Sequence, residues 1–136
     1  KAKGVYLVYI VTDTHPWVWF LTANPRLTSK AKSVLSDSSN IIIIPSIVMM
    51  EIKYLYHRKR ITLSFEEVLQ QVETAENILF HPMDLSIVTI APTSLDIHDA
   101  IIIGTAIQSA EEFGQVISLV TADKAISDSK LIPVIW

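Results

Sequence analysis

The fold is decided by the stretch VYLVYIVTD at residues 5–13, in which an unbroken apolar run leads into Asp13. β-Branched and aromatic residues in such a run predict a strand that is buried on both faces of a sheet. A second apolar run, VISLV at residues 116–120, is followed in the same way by Asp123. Both acids therefore follow a predicted strand, at the sheet edge where open α/β folds bind their ligands.

Apolar runs and helical periodicities alternate along the rest of the chain. Strands are predicted at about 5–12, 41–44, 78–80, 116–120 and 132–135. Helices are predicted at about 14–22, 28–37, 46–58, 85–91, 97–113 and 122–128, with one more starting near Ser64. This alternation predicts a single α/β domain over residues 1–136, with three α/β/α layers and a central, mainly parallel sheet of about five strands.

Composition narrows the class of protein. The chain has 136 residues, half of them apolar, and a formal net charge of −3, so any attraction to nucleic-acid phosphates must be local or metal-mediated. There is no cysteine for a disulfide or a thiolate zinc site, and the three glycines are not clustered as phosphate-binding loops require. The absence of a signal-peptide pattern and of a membrane-length apolar run predicts a cytoplasmic protein.

Two further acids lie where an apolar residue would be expected. Glu51 falls inside an apolar helical stripe that runs from Ile47 to Leu55, and Asp99 directly precedes the apolar run at residues 100–107. A carboxylate buried without a partner is costly, and it usually binds a cation or takes up a proton. Several such acids, without histidine or cysteine at ligand spacing, indicate a hard divalent ion such as Mg²⁺ or Mn²⁺.

Each acid also has a structural explanation. Asp13 and Asp96 each precede a predicted helix and Asp123 lies at the start of another, so each could serve as an N-cap. Asp99 lies three residues after Asp96 and could be the N3 partner of that cap. Glu51 could pair with a lysine or arginine that is distant in sequence. These alternatives remain open for each acid taken alone, whereas the whole set is better explained by a metal.

Aromatic and basic residues near these acids have two interpretations as well. Trp17 and Trp19 could stack on a base or pack in the interior. The run Arg58-Lys59-Arg60 lies about two turns beyond Glu51 on the same predicted helix, where it could contact phosphate or simply be solvated.

The order and setting of the acids resemble the PIN-domain ribonucleases, and within them the VapC-type toxins of bacterial toxin–antitoxin pairs. The matching stretches are TDTH at 12–15, PSIVMMEI at 45–52, LDIHDAII at 95–102 and LVTAD at 119–123. The resemblance implies one set of catalytic, metal-binding acids, namely Asp13, Glu51, Asp99 and Asp123. It also implies supporting roles for Asp96, Thr14 and Thr121.

This resemblance implies an Mg²⁺- or Mn²⁺-dependent endoribonuclease, a hydrolase of phosphodiester bonds that acts as the toxin of a type II toxin–antitoxin pair. The expected partners are an RNA substrate, a cognate antitoxin protein and a second copy of the chain, with RNA contacts from Arg58, Lys59 and Arg60. The alternative is a catalytically inactive PIN-like module that binds RNA or protein.

Overall fold

The computed structural model describes residues 7–136, which form five strands and seven helices. The strands are β1 (Val8–Thr12), β2 (Asn40–Pro45), β3 (Ile78–His81), β4 (Ser118–Val120) and β5 (Val134–Ile135). The helices are α1 (Thr14–Leu21), α2 (Ser29–Ser36), α3 (Ser46–His57), α4 (Phe65–Thr74), α5 (Leu85–Ile90), α6 (Ile97–Phe113) and α7 (Lys124–Ser129). The predicted three-layer α/β/α class is confirmed, while residues 5 and 6 of the predicted first strand lie outside the described part of the chain.

The sheet has the strand order β3-β2-β1-β4-β5, and all four of these pairings are parallel. Val11 of the central strand pairs with Ile43 on one side and with Leu119 on the other. The chain first adds strands on one side of β1 and then returns to the other side, so the winding reverses between β1 and β4. Such a switch point is where open α/β sheets form their ligand-binding crevice.

The central strands are covered on both faces, which explains why their sequences are apolar without interruption. Ile42, Ile43 and Ile44 follow one another in β2, and none is more than 1% exposed. Val11 and Leu119 are also fully buried. The strands therefore form a fixed frame for the loops at their carboxyl ends.

The helix ends are set by local hydrogen bonds. The helix predicted to start near Ser64 begins with a capping box, in which the Ser64 hydroxyl accepts from the Glu67 amide at 3.1 Å and the Glu67 carboxylate accepts from the Ser64 amide at 2.9 Å. The last of the predicted helices begins at Lys124, two residues later than expected, because Asp123 is its extended N-cap. No helix within residues 7–136 is long and apolar enough to cross a membrane.

Candidate active site

The two acids that follow strands lie on adjacent strands. Asp13 is the N-cap of α1 directly after β1, and Asp123 is the N-cap of α7 shortly after β4. The Asp13 amide donates to the Val120 carbonyl at 2.9 Å, which continues the β1–β4 pairing up to the acid itself. Asp13 and Asp123 are thereby held at the switch point of the sheet.

Thr14 connects Asp13 to Glu51, which lies in the middle of α3. Its amide donates to Asp13 Oδ1 at 2.7 Å, and its hydroxyl donates to Glu51 Oε1 at 2.6 Å. Thr14 is buried, so both bonds are shielded from competing water. The contact joins residues 37 positions apart in the chain, and it orients one oxygen of each acid.

Thr121 connects Asp13 to Asp123 in a similar way. Its hydroxyl donates to Asp13 Oδ2 at 2.6 Å and accepts from the Asp123 amide at 3.0 Å. Thr121 is fully buried. The two threonines that the resemblance singled out therefore both contact the predicted acids.

Asp99 lies in the first turn of α6, where the negative charges of the other acids act on its carboxylate. Its pKa is raised to about 7. Burial is the largest cause, and the negative charges of Asp123, Asp96, Asp13 and Glu51 follow in that order. Each of the other three predicted acids is thus close enough to Asp99 for its charge to raise the pKa of Asp99.

Asp96 has a structural role in addition to its charge. It is the N-cap of α6, where its Oδ1 accepts from the Asp99 amide at 3.0 Å. The capping explanation that the sequence left open for Asp96 is therefore correct. Its carboxylate also contributes to the raised pKa of Asp99.

Burial also raises the pKa of Asp13 and of Glu51. Hydrogen bonds from Thr121 and Thr14 offset part of this effect at Asp13, and the bond from Thr14 does so at Glu51. The charge of Asp123 raises the pKa of Asp13, and the charge of Asp13 raises that of Glu51. Each of these acids would be stabilised by a positive charge placed among them.

Side-chain cations supply little of that charge. Among residues 7–136, no lysine or arginine nitrogen lies within 4.0 Å of a carboxylate of the site. His98 is the nearest candidate, with Nδ1 at 3.5 Å from Glu51 Oε2. Within the described part of the chain, Glu51 therefore forms no salt bridge to a distant lysine or arginine of the kind that could have explained it. The predicted site did not include His98, although its position next to Asp99 was a signal for it.

Some carboxylate oxygens of the site accept no hydrogen bond from residues 7–136. Both oxygens of Asp13 accept hydrogen bonds, whereas Glu51 and Asp123 each use one oxygen in this way. Within residues 7–136 no three acidic or histidine groups already form a site that could hold a metal ion, so side chains would have to turn toward a bound ion. The donor set itself consists of carboxylates without a lysine or arginine partner among residues 7–136, and such oxygen donors fit a hard divalent cation.

A family model described as PIN domain matches residues 10–130, which include all the acids described above. The chain belongs to the PIN-domain family. Members of this family are typically metal-dependent nucleases, which supports a hydrolase that acts on nucleic acid. No curated protein sequence matches the chain.

Two cavities of this PIN domain share His15, the residue that follows Thr14. The first, which we call the Tyr54 cavity, has a volume of about 430 Å³ and is lined by Glu51, Tyr54 and Arg58, among others. The second, the Trp19 cavity, has a volume of about 670 Å³ and is lined by Trp19 and Arg60, among others. The predicted RNA-binding run is thus divided between two cavities, and Lys59 lines neither of them.

Proposed function

We propose that this PIN domain is an Mg²⁺- or Mn²⁺-dependent endoribonuclease and the toxin of a type II toxin–antitoxin pair. Asp13, Asp99 and Asp123 would hold the metal directly. Glu51 would complete the site or position the attacking water. Thr14 and Thr121 would orient the carboxylates, and Asp96 would add negative charge from the helix end.

One observation carries the proposal. Carboxylates from four different helices and loops converge at the switch point of the sheet, where burial and mutual repulsion raise the pKa values of Asp13, Glu51 and Asp99. Side chains packed only for stability would avoid this repulsion, or would place a lysine or arginine among the acids. The arrangement is explained if a cation is part of the working site.

When bound, a divalent ion lowers the pKa of a water molecule and stabilises the negative charge that develops on a phosphodiester. The residues of the chain have complementary tasks. The bond between the Thr14 hydroxyl and Glu51 Oε1 leaves the other oxygen of Glu51 available to orient a water or receive its proton. Arg58 and Arg60 of the predicted basic run, which line the two cavities, would attract the RNA locally, since the net charge of the chain is −3.

The alternative function is a catalytically inactive PIN-like module that binds RNA or protein. The electrostatic cost at Asp99 favours the enzyme, because a binding module gains nothing from acids that repel one another. A single-stranded RNA and the purified protein, with EDTA or with Mg²⁺ or Mn²⁺, separate the two functions. We expect internal cleavage only with metal, and a loss of about 100-fold or more in rate for Asp99→Asn and Glu51→Gln.

Glu111→Gln, an exposed acid on the same helix as Asp99, is the matched control and should cleave normally. Metal-independent cleavage, or RNA binding without cleavage by the wild type, would contradict the enzyme. The toxin role has its own test, which is growth arrest on expression of the chain and rescue by a small neighbouring gene that encodes an antitoxin. Size-exclusion chromatography with light scattering tests the proposed homodimer.

A further inference from the structure

All three arginines of the chain line the cavities beside the acidic site. Arg58 lines the Tyr54 cavity, and Arg26 and Arg60 line the Trp19 cavity. Among residues 7–136, no carboxylate lies within 4.0 Å of any of them. Arginines that form no ion pair around two cavities are available to an anionic ligand.

The two cavities are neighbours. His15 and Leu55 line both of them, and His15 follows directly on Thr14, whose hydroxyl binds Glu51. Glu51 itself lines the Tyr54 cavity. A ligand that extends through both cavities would therefore pass beside the acidic site.

Each cavity combines an aromatic ring with a guanidinium group. The Arg58 guanidinium carbon lies 4.5 Å from the centre of the Tyr54 ring, and that of Arg26 lies 5.9 Å from the centre of the Trp19 ring. Aromatic faces and arginine planes are the surfaces on which unpaired bases stack, and the same guanidinium groups can bind phosphate.

We propose that a single strand of RNA runs through both cavities and past His15, with one nucleotide bound at Tyr54 and Arg58 and another at Trp19, Arg26 and Arg60. This inference rests on the proposed function, because it names the subsites that flank the scissile phosphate. Arg58 and Arg60 of the basic run thus belong to different subsites, and Lys59 contributes to neither subsite because it lines neither cavity.

The chemistry of the cavities favours RNA as the occupant. The acids of the site repel a phosphate backbone, so a strand needs positive charge near them to approach. Three arginines provide this charge in a protein whose net charge is −3. An unpaired strand is required because bases within a duplex cannot stack on protein rings.

The test compares four exposed positions by single substitution, namely Arg26→Gln, Arg58→Gln, Arg60→Gln and the control Lys59→Asn. Asparagine suits the control because Lys59 has a backbone φ of 58°, a left-handed conformation that asparagine tolerates. Each variant is made in an Asp99→Asn background, which prevents cleavage, and is titrated with a short fluorescein-labelled unstructured RNA over a range of salt concentrations.

We expect each arginine variant to lower the slope of log K against log salt by about 0.7, and Lys59→Asn to leave it unchanged. Trp19→Leu should weaken binding about fivefold or more, and should remove the tryptophan quenching that a stacked base causes. A double-stranded RNA of the same sequence should bind more weakly. In proteins that retain Asp99, the arginine variants should raise KM much more than they lower kcat.

Slopes and KM values that stay at the wild-type level in all three arginine variants would overturn the inference, while metal-dependent cleavage by the wild type would leave the nuclease proposal standing. The cavities would then be assigned to a protein partner. A wild type that neither binds nor cleaves RNA would overturn the proposed function and this inference with it. Melting temperatures of the arginine variants, expected to match the control, exclude misfolding as the cause of any loss.

Discussion

Replacing Asp99 by asparagine should stabilise the metal-free protein at neutral and alkaline pH. The folded protein holds the pKa of Asp99 at about 7, above its ordinary value of 3.8. Between these two values the folded state binds more protons than the unfolded state, so stability falls as the pH rises. Above the folded pKa, the full cost of an ionised Asp99 is present. Asparagine has no such cost at any pH.

The magnitude follows from the same pKa. At 1.36 kcal/mol per unit, the difference between 3.8 and about 7 sets an upper bound of about 4 kcal/mol. Asp99 is only half-buried, and the water that reaches it screens the neighbouring charges. We therefore expect Asp99→Asn to be more stable than the wild type by about 1–2 kcal/mol near pH 8. The advantage should shrink steadily toward pH 4.

Urea denaturation of the metal-free protein at several pH values measures this difference. Glu111→Gln is the control, since it removes an exposed acid from the same helix and should change stability by less than about 0.5 kcal/mol at each pH. A saturating divalent ion should then reverse the order of stabilities. At 100 times its Kd, Mg²⁺ or Mn²⁺ should add about 2.7 kcal/mol to the wild type and clearly less to Asp99→Asn.

The opposite sign would refute the reasoning. If Asp99 were held by a buried lysine or arginine, its loss would strand that cation and cost about 3–5 kcal/mol. A mutant that is destabilised near pH 8 in the absence of metal, together with a wild type that shows no response to Mg²⁺ or Mn²⁺, would remove the argument for a metal site. A gain in stability that does not change with pH would contradict the electrostatic explanation of the Asp99 pKa, and it would leave the argument for a metal site in place.

Two further substitutions test individual contacts. Thr14→Val removes the donor to Glu51 Oε1 and should lower the free energy of unfolding by about 1–3 kcal/mol in urea denaturation at neutral pH. Thr14→Ser should recover most of the loss, and an unchanged denaturation midpoint in Thr14→Val would show that the bond contributes nothing. Gly114→Ala lies at the C-cap of α6, where φ is 65° and no atom of residues 7–136 beyond its chain neighbours lies within 4 Å of the added methyl group. It should cost about 1 kcal/mol through the backbone alone, and a melting temperature equal to that of the wild type would contradict this.

Most of the fold could be predicted because its signals are local. Apolar runs identified the parallel strands, and polar residues identified helix starts at Ser64 and Asp96. The boundaries that moved did so for local reasons too, as at Asp123, whose extended backbone delays the start of α7. The strand order does not follow from local patterns, but strands that alternate with helices predicted a parallel sheet and a site at its carboxyl edge.

The contacts that organise the site were beyond local prediction. The hydrogen bond from Thr14 to Glu51 depends on how α1 packs against α3, and no periodicity encodes that packing. The position of Arg26 could not be predicted locally either. Arg26 lies in the loop after α1, and only in the folded chain does it line the same cavity as Trp19 and Arg60. Residue type and position indicated which acids were unusual, whereas tertiary structure decides which side chains surround them.

Capping and metal binding are compatible roles for the same aspartate, because a carboxylate has two oxygens. Asp123 uses Oδ1 to cap α7 by accepting from the Ile126 amide at 3.1 Å, so its second oxygen needs no partner within the helix. Asp99 is different, since it is no cap and accepts no hydrogen bond from the described residues, and its pKa is raised to about 7. Helix formation therefore explains the position of Asp123 and leaves Asp99 unexplained. A bound cation would compensate the charge of Asp99 and account for its position.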